Sequence, residues 1–346
     1  MKKLVLNIII LLAANTILAQ DNPVQKPVYI ESDFSKALMK PGTRILEDKD
    51  WYIWDSSPIV GDDGKIHVIF SRWPESFDKW LSHSEICHAV ADKPEGPYQF
   101  VRTILKGRGG DYWDADAVHN PTIHKVGDKY VIFYNGANIK HASRYDGKSP
   151  STQRIGMAIA DDLYGEFKRV DDEPLLTVEK GPWDGYMNNN PSLLQHPNGQ
   201  FWLYYKAWDR YNDNLRKIGV AFSDKIEGPY KKYEHNPVVN FGALGQVEDP
   251  YVFRYKKRYY MISRDMGVIN PRSGLLMTSK DGLKWENVQL GYKKSSWYFE
   301  GEQPQRFERP QVLFQNGRPT YLFLSLKGGK YDKSTGAVLK IDTTKF

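Results

Sequence analysis

The sequence predicts an all-β fold, a five-bladed β-propeller with four-stranded blades, its ring closed by a strand from the N-terminal side. Three observations predict it. A proline-led strand recurs at Pro58, Pro121, Pro191, Pro250 and Pro310, with spacings of 63, 70, 59 and 60 residues. After each proline comes a run of β-formers, then a polar turn, then an aromatic second strand. An outer half made of a strand, a turn and an aromatic strand repeats as well. A supersecondary unit repeated at near-constant spacing fixes architecture before any local assignment is made.

The elements follow in order. The first two strands of each unit read IVGDDGKIHVIF, TIHKVGDKYVIFY, SLLQHPNGQFWLYY, YVFRYKKRYYMI and QVLFQNGRPTYLFL. Their turns, GDDGK, VGDK, HPNGQ, YKKR and QNGRP, hold the residues that bound strands. The outer halves are SEICHAVADKPEGPYQFV, QRIGMAIADDLYGEFKRV and RKIGVAFSDKIEGPYKKY, with SGLLMTSKDGLKWENV as a shorter version. STGAVLKIDTTKF ends the chain as a third strand, so the fifth blade lacks its fourth. The stretch from Val28 to Trp54 is expected to supply it. No linker or low-complexity stretch divides residues 21–346, which predicts one domain over 20–346.

Composition limits the function classes. The chain has 346 residues, 40% hydrophobic and 14% aromatic, enough for a large core. Residues 1–19, MKKLVLNIIILLAANTILA, read as a secretory signal peptide cleaved near Ala19, which predicts a periplasmic or secreted protein without a membrane span. No cysteine follows the apolar run, so no lipid anchor is indicated. Cys87 stands alone, which excludes a disulfide framework and a cysteine metal cluster. Setting aside Lys2 and Lys3 takes 48 basic residues to 46 against 42 acidic ones, a net charge of +4. That excess suits an anionic substrate or serves solubility alone. No basic run interleaved with aromatics points to nucleic acid. A monomer without a cofactor is expected, a structural cation in the central channel being an open alternative.

In a propeller the first strand of each blade lines the channel, and the residues ahead of it ring one mouth. Proline has no backbone donor and suits a strand's first position. Asp55, His119, Asn189, Glu248 and Glu308 are therefore expected to share a pocket, with Asn120, Asn190, Asp249 and Arg309 beside them. Convergent polar groups in a concavity mark a binding site.

At these residues the chain resembles glycoside hydrolase family 43 and its five-bladed propeller relatives, over essentially all of residues 40–346. The most specific match is Glu248-Asp249-Pro250-Tyr251-Val252-Phe253 followed by KKRYYMI, and the EGPY turns at 95–98 and 227–230 are similar too. The resemblance implies that Glu248 is the general acid. The family's water-activating aspartate, directly before the first-blade proline, falls on Ser57, with Asp55 the nearest acid. The aspartate that tunes the acid, before the third-blade proline, falls on Asn190.

Glycoside hydrolysis needs two carboxyl groups, one to protonate the leaving oxygen and one to activate water from ~6.5–9.5 Å away in inverting enzymes. Glu248 is the acid expected here, its pKa raised by Asp249 and Glu308, and Asp55 is the base. The plainer account of Glu248 is an ion pair with Arg254, Lys256 or Arg309. YWDADAVHNP and PWDGYMNNNP, at 112–121 and 182–191, share a Trp-Asp and an Asn-Pro at equal spacing. They place Trp113 and Trp183 at equivalent rim positions, to stack on sugars or to pack between blades. Arg72, Lys206, Arg210, Arg264 and Arg309 flank the inner strands. Arginine grips carboxylate or sulfate through two donors, and several at one mouth favour an acidic sugar. His119 is a proton-transfer group or a structural residue, with metal ligation last for want of a partner histidine.

The function read from these residues is an exported glycoside hydrolase that processes a terminal sugar of polysaccharide-derived oligosaccharides, acidic ones among them. One alternative is a lyase or dehydratase acting on a uronate. His119 or a tyrosine then takes the proton, while Asn189, Asn190 and Arg309 hold the developing charge. A non-catalytic glycan-binding propeller is the other.

Overall fold

Five antiparallel sheets of four strands stand in a ring, in a computed structural model that describes residues 30–139, 153–178 and 181–346. The leader expected at residues 1–19 lies outside the described residues. Blade one consists of Tyr52–Val60, Ile66–Trp73, Glu85–Ala91 and Gln99–Leu105. Blade two is Ala117–Val126, Lys129–Ala137, Arg154–Ala160 and Lys168–Arg169, and blade three is Asn188–Gln195, Phe201–Asp209, Leu215–Ser223 and Lys231–Lys232. Blade four is Gln246–Tyr255, Arg258–Met266, Gly274–Ser279 and Glu286–Tyr292. Blade five takes Glu308–Gln315, Arg318–Gly328 and Lys333–Lys340 from the C-terminal end. Its fourth strand is Thr43–Ile45, paired antiparallel with Lys333–Lys340 from Thr43↔Val338 to Ile45↔Gly336. The expected closing strand is thus three residues long.

Second strands such as Ile66–Trp73 and Phe201–Asp209 are buried almost throughout, so their sequences are near-continuous apolar runs and do not alternate. Outer strands as short as Lys168–Arg169 and Lys231–Lys232 leave little edge for another chain to pair with. The apolar core is divided among the seams between blades. Ile69 and Ile86 meet Val118 and Ile132 between blades one and two. Val131 and Phe133 meet Leu193 and Leu203 at the next seam, and Tyr204 and Val220 meet Val252 and Met261 at the third. Ile262 and Leu276 face Val312 and Leu322, and Leu313 and Phe323 face Ile53 and Val68. A blade cannot bury its faces alone, so the ring stands or falls together. Among the described residues no helix is long and apolar enough to cross a membrane.

Each inner strand carries a two-residue bulge at its mouth. The ladder skips from Trp54 to Ser57, His119 to Thr122, Asn189 to Ser192, Glu248 to Tyr251 and Glu308 to Gln311. The first bulged residue is left-handed in all five: Asp55 (φ 53°), Asn120 (53°), Asn190 (53°), Asp249 (58°) and Arg309 (54°). Asn and Asp tolerate that region best among side-chain-bearing residues, which accounts for four of the five. The second bulged residue is proline in blades two to five but Ser56 in blade one, where Pro58 sits deeper in the strand, opposite Val68. The prolines therefore misplace the first mouth by two residues. Trp54, not Asp55, corresponds to His119, Asn189, Glu248 and Glu308. Asp55, not Ser57, holds the position that precedes the proline elsewhere.

Candidate functional site

The left-handed residues touch one another and form a floor across the channel. Asn120 Nδ2 donates to Asn190 Oδ1 at 2.9 Å, and Asn190 Nδ2 donates to Asp249 Oδ1 at 2.6 Å. The Arg309 backbone N–H donates to Asp249 Oδ2 at 3.0 Å, with Arg309 Nη1 3.5 Å from Asp249 Oδ1. Arg309 Nε donates to Asp55 Oδ2 at 2.8 Å. Four links thus join five blades, three between residues 59 to 70 positions apart and the fourth, Arg309 to Asp55, across 254. The bulge N–H groups are also satisfied from neighbouring blades: Asp55 donates to Ser325 Oγ, Asn120 to Ser71 Oγ and Asn190 to Asn135 Oδ1. A floor with its polar groups so paired is rigid.

A cavity of about 340 Å³ stands on this floor. Trp54, Trp73, Phe77, Trp80, Met187 and Trp208 make one part of its wall apolar. In the other part Lys206, Arg216, Arg264, Arg306 and Arg309 accompany Glu248, Asp249 and Glu308. The ladder explains two of these cations. Arg264 is the cross-strand partner of Glu248 and Lys206 that of Asn189, at the position where blades one, two and five carry Ser71, Asn135 and Ser325.

Arg264 Nη1 bonds Glu248 and lies 3.1 Å from Glu308 Oε1. Arg216 Nε is 3.2 Å and Lys206 Nζ 3.6 Å from Glu248 Oε2. Burial works to raise the proton affinity of Glu248, but Lys206, Arg264, Arg216 and Arg306 outweigh it and hold the carboxyl at about 2. The upward shift expected from Asp249 and Glu308 is thus reversed, because three cations are bonded to the group itself. They are not the expected Arg254, Lys256 or Arg309. Glu308 moves the other way: burial, with Asp249 and Glu248 adding to it, raises its pKa against Arg264 and Arg306. Burial also lifts Asp55 to about 7 despite Arg309, and lowers Lys206 to about 8.

His119, Asn120, Asn189, Asn190, Lys206, Glu248, Asp249, Arg264, Glu308 and Arg309 all line the cavity, as the sequence suggested. His119 packs edge-on against Trp80, ring centroids 4.8 Å apart. Asp55, expected to share this pocket, does not line it: it is the wholly buried blade-one member of the floor, its carboxylate covered by Arg309 and by Gln311 Nε2 at 3.3 Å. Three residues proposed as sugar contacts lie elsewhere. Trp113 stacks on Tyr134 over Gly136 and Gly156, and Trp183 stacks on Tyr205 over Gly219, where any Cβ would collide with the indole. Asp114 and Asp184 accept from those same tyrosines at 3.1 and 3.0 Å. The repeated Trp-Asp is therefore a packing device. Arg72 is bonded to Glu85 at 2.8 Å and held between Trp51 and Phe100.

Oxygens of Glu248, Asp249 and Glu308 approach within 4.8 Å of one another, a spacing that could suit a metal ion. The set does not fit one, because Arg264, Arg216, Lys206 and Arg309 already bond these carboxylates. The residues that sequence reasoning missed are chiefly the aromatics. Phe77 and Trp80 come from the short helical insertion at Phe77–Lys79 and Trp80–His83 in blade one, where SFDKWL is a conspicuously aromatic stretch for a connection.

No protein-family model matches the chain. It is 29% identical over 163 residues to an extracellular endo-alpha-(1->5)-L-arabinanase of Thermotoga petrophila, a match that takes in 46% of this chain and 32% of that protein. The chain thus spans about a third of the length of that relative. Among solved structures it is similar to a family 117 glycoside hydrolase of the marine bacterium Zobellia galactanivorans, with a TM-score of 0.68, 18% identity and 91% of each chain covered. It is also similar to the GH43_1 enzyme from Xanthomonas citri, with a TM-score of 0.59, 15% identity and 89% and 92% covered. The likeness to these structures is one of fold.

Proposed function

We propose that the protein is an exo-acting glycoside hydrolase that removes a terminal sugar from an acidic, polysaccharide-derived oligosaccharide outside the cytoplasm, with Glu248 as proton donor and Asp55 as water-activating base. The observation that supports it most is the placement of both carboxylates at one mouth, Glu248 in the cavity wall and Asp55 buried in the floor beneath it, with Asp249 and Arg309 between them. The fold shared with glycoside hydrolases and the partial match to an arabinanase agree with this chemistry.

The cavity is at the small end of the ~300–1,000 Å³ of ligand pockets, which suits one sugar ring better than a polymer. Its aromatic part offers faces for the apolar side of that ring. Five cations against three carboxylates leave positive charge for a carboxylate on the substrate. Glu248 is ionised in the free site, and a sugar carboxylate that draws Arg264 and Lys206 away restores its proton affinity. The acid is then loaded when an acidic sugar arrives.

The test is turnover of defined neutral and acidic oligosaccharides with mass readout. Hydrolysis releases a saturated terminal sugar. The buried Lys206, near 8 and beside the cation cluster, favours one competing reaction, proton abstraction next to a uronate carboxylate. That reaction leaves a conjugated double bond and no added water, and an ultraviolet-absorbing product would displace hydrolysis. The pH profile gives a second check. Asp55 carries its proton below about 7, and a base must be ionised. With Glu248 at about 2 and Asp55 at about 7 in the free enzyme, the fraction that has the acid protonated and the base ionised is constant between those values. The kcat/KM on an acidic substrate should therefore stay level up to a bend near 7 and fall above it; a bend near 4 removes Asp55 from the role.

A further inference from the structure

We infer that a second compartment beside the cavity binds an anionic substituent, carboxylate or sulfate, on the sugar next to the terminal one, and that Arg272 and Lys327 read it. This rests on the glycoside hydrolase reading of the main cavity. The compartment measures about 410 Å³, and Trp54, Arg264 and Arg306 line both spaces. A chain whose terminal sugar occupies the cavity can pass between them. Arg264, Arg272, Arg306 and Lys327 supply four cations to this second space, and no carboxylate lines it.

The four are not equivalent. Arg264 bonds Glu248 and Glu308, and Arg306 Nε is 2.5 Å from Glu308 Oε1. Among the described residues no ion pair involves Arg272 or Lys327, so their charge is unspent. Both stand on fixed backbone. The Asp265 carboxylate accepts the N–H groups of Gly267, Val268, Ile269 and Asn270, and Asn270 Oδ1 accepts that of Arg272. Lys327 is the penultimate residue of the strand Arg318–Gly328, with its ammonium 3.6 Å from the Phe77 ring centroid. An exposed guanidinium and an exposed ammonium, both on ordered backbone in a compartment that Trp54 also lines, suit an acidic sugar ring. Two solvated surface cations would bind nothing in particular, and that is the outcome the experiment must separate.

Three disaccharides sharing one terminal sugar, with the second sugar neutral, carboxylated or O-sulfated, are compared on the unmodified protein and on R272A/K327A. Turnover gives KM and kcat, and quenching of tryptophan fluorescence reads binding separately, since Trp54 borders both spaces. The double variant should raise KM for the anionic disaccharides ~10-fold, the scale of two partly exposed charge contacts, with kcat and the neutral compound unaffected. The anionic pair should also lose affinity as salt rises, more steeply in the unmodified protein. A stronger effect on the carboxylated or on the sulfated compound names the anion. Equal KM for all three compounds in both proteins overturns the inference and leaves hydrolysis standing. Anionic binding that the double variant loses, without turnover of any compound, upholds the compartment and removes the hydrolase reading.

Discussion

Glu248→Gln should lower turnover ~10²–10⁴-fold with the fold intact, the usual scale for losing a general acid or base. Glutamine keeps the side chain's shape and still accepts from Arg264, so circular dichroism and the unfolding midpoint should change little. It has no proton to give at any pH. The same variant should bind an acidic substrate more tightly, because one of the carboxylates competing for Arg264, Arg216 and Lys206 is gone. A fall in kcat together with a fall in KM is hard to produce by general damage to the site. Near-normal turnover would take Glu248 out of the chemistry. Under elimination the order changes, and losing the base, whether Lys206 or the His119 that the sequence suggested, should cost more than Glu248→Gln.

The ring was legible because five copies of one pattern reinforce each other, and even the closing strand could be placed within a 27-residue window. The site was legible down to which residues meet, since ten of the proposed ones line one cavity. Its register and electrostatics were not. Proline marks the bulge in four blades, but in blade one Ser56 takes that place and Pro58 is a different feature, so counting from prolines shifted the first mouth. The acidity of Glu248 was misread because sequence adjacency shows Asp249, whereas its bonded partners are Arg264 across the ladder and Arg216 and Lys206 on blade three. The Trp-Asp repeat was ambiguous for a related reason. Stacking on a sugar and stacking on the neighbouring strand's tyrosine call for the same residue, and only the glycines beneath Trp113 and Trp183 decide between them.

Arg309→Met should be the most destabilising single change in the floor, by ~3–5 kcal/mol, the range for removing one partner of a buried ion pair. Arg309 is 3% exposed and lies between Asp55 and Asp249, themselves at 0% and 2%. Methionine fills the volume of the stem but leaves two buried carboxylates without their counter-ion. The deficit should depend on pH with a definite sign. Asp55 has a folded pKa raised to about 7, so as pH rises from its unfolded value towards 7 both proteins lose stability alike. Above 7 the native protein holds an ionised Asp55 against Arg309, and that loss ends. The variant, with Arg309 no longer lowering the Asp55 pKa, must go on keeping the group neutral or bury a bare charge. Urea unfolding at pH 6 and pH 8.5 should therefore show a larger gap at the higher pH. Adding Asp55→Asn to the variant should recover part of the loss and cancel the widening, while leaving the share that comes from Asp249. A gap that is equal at both pH values would mean that Asp55 does not depend on Arg309 for its charge. The floor would then be held by Asp249 and the asparagines, and the case for Asp55 as an ionisable base at this mouth would fall with it.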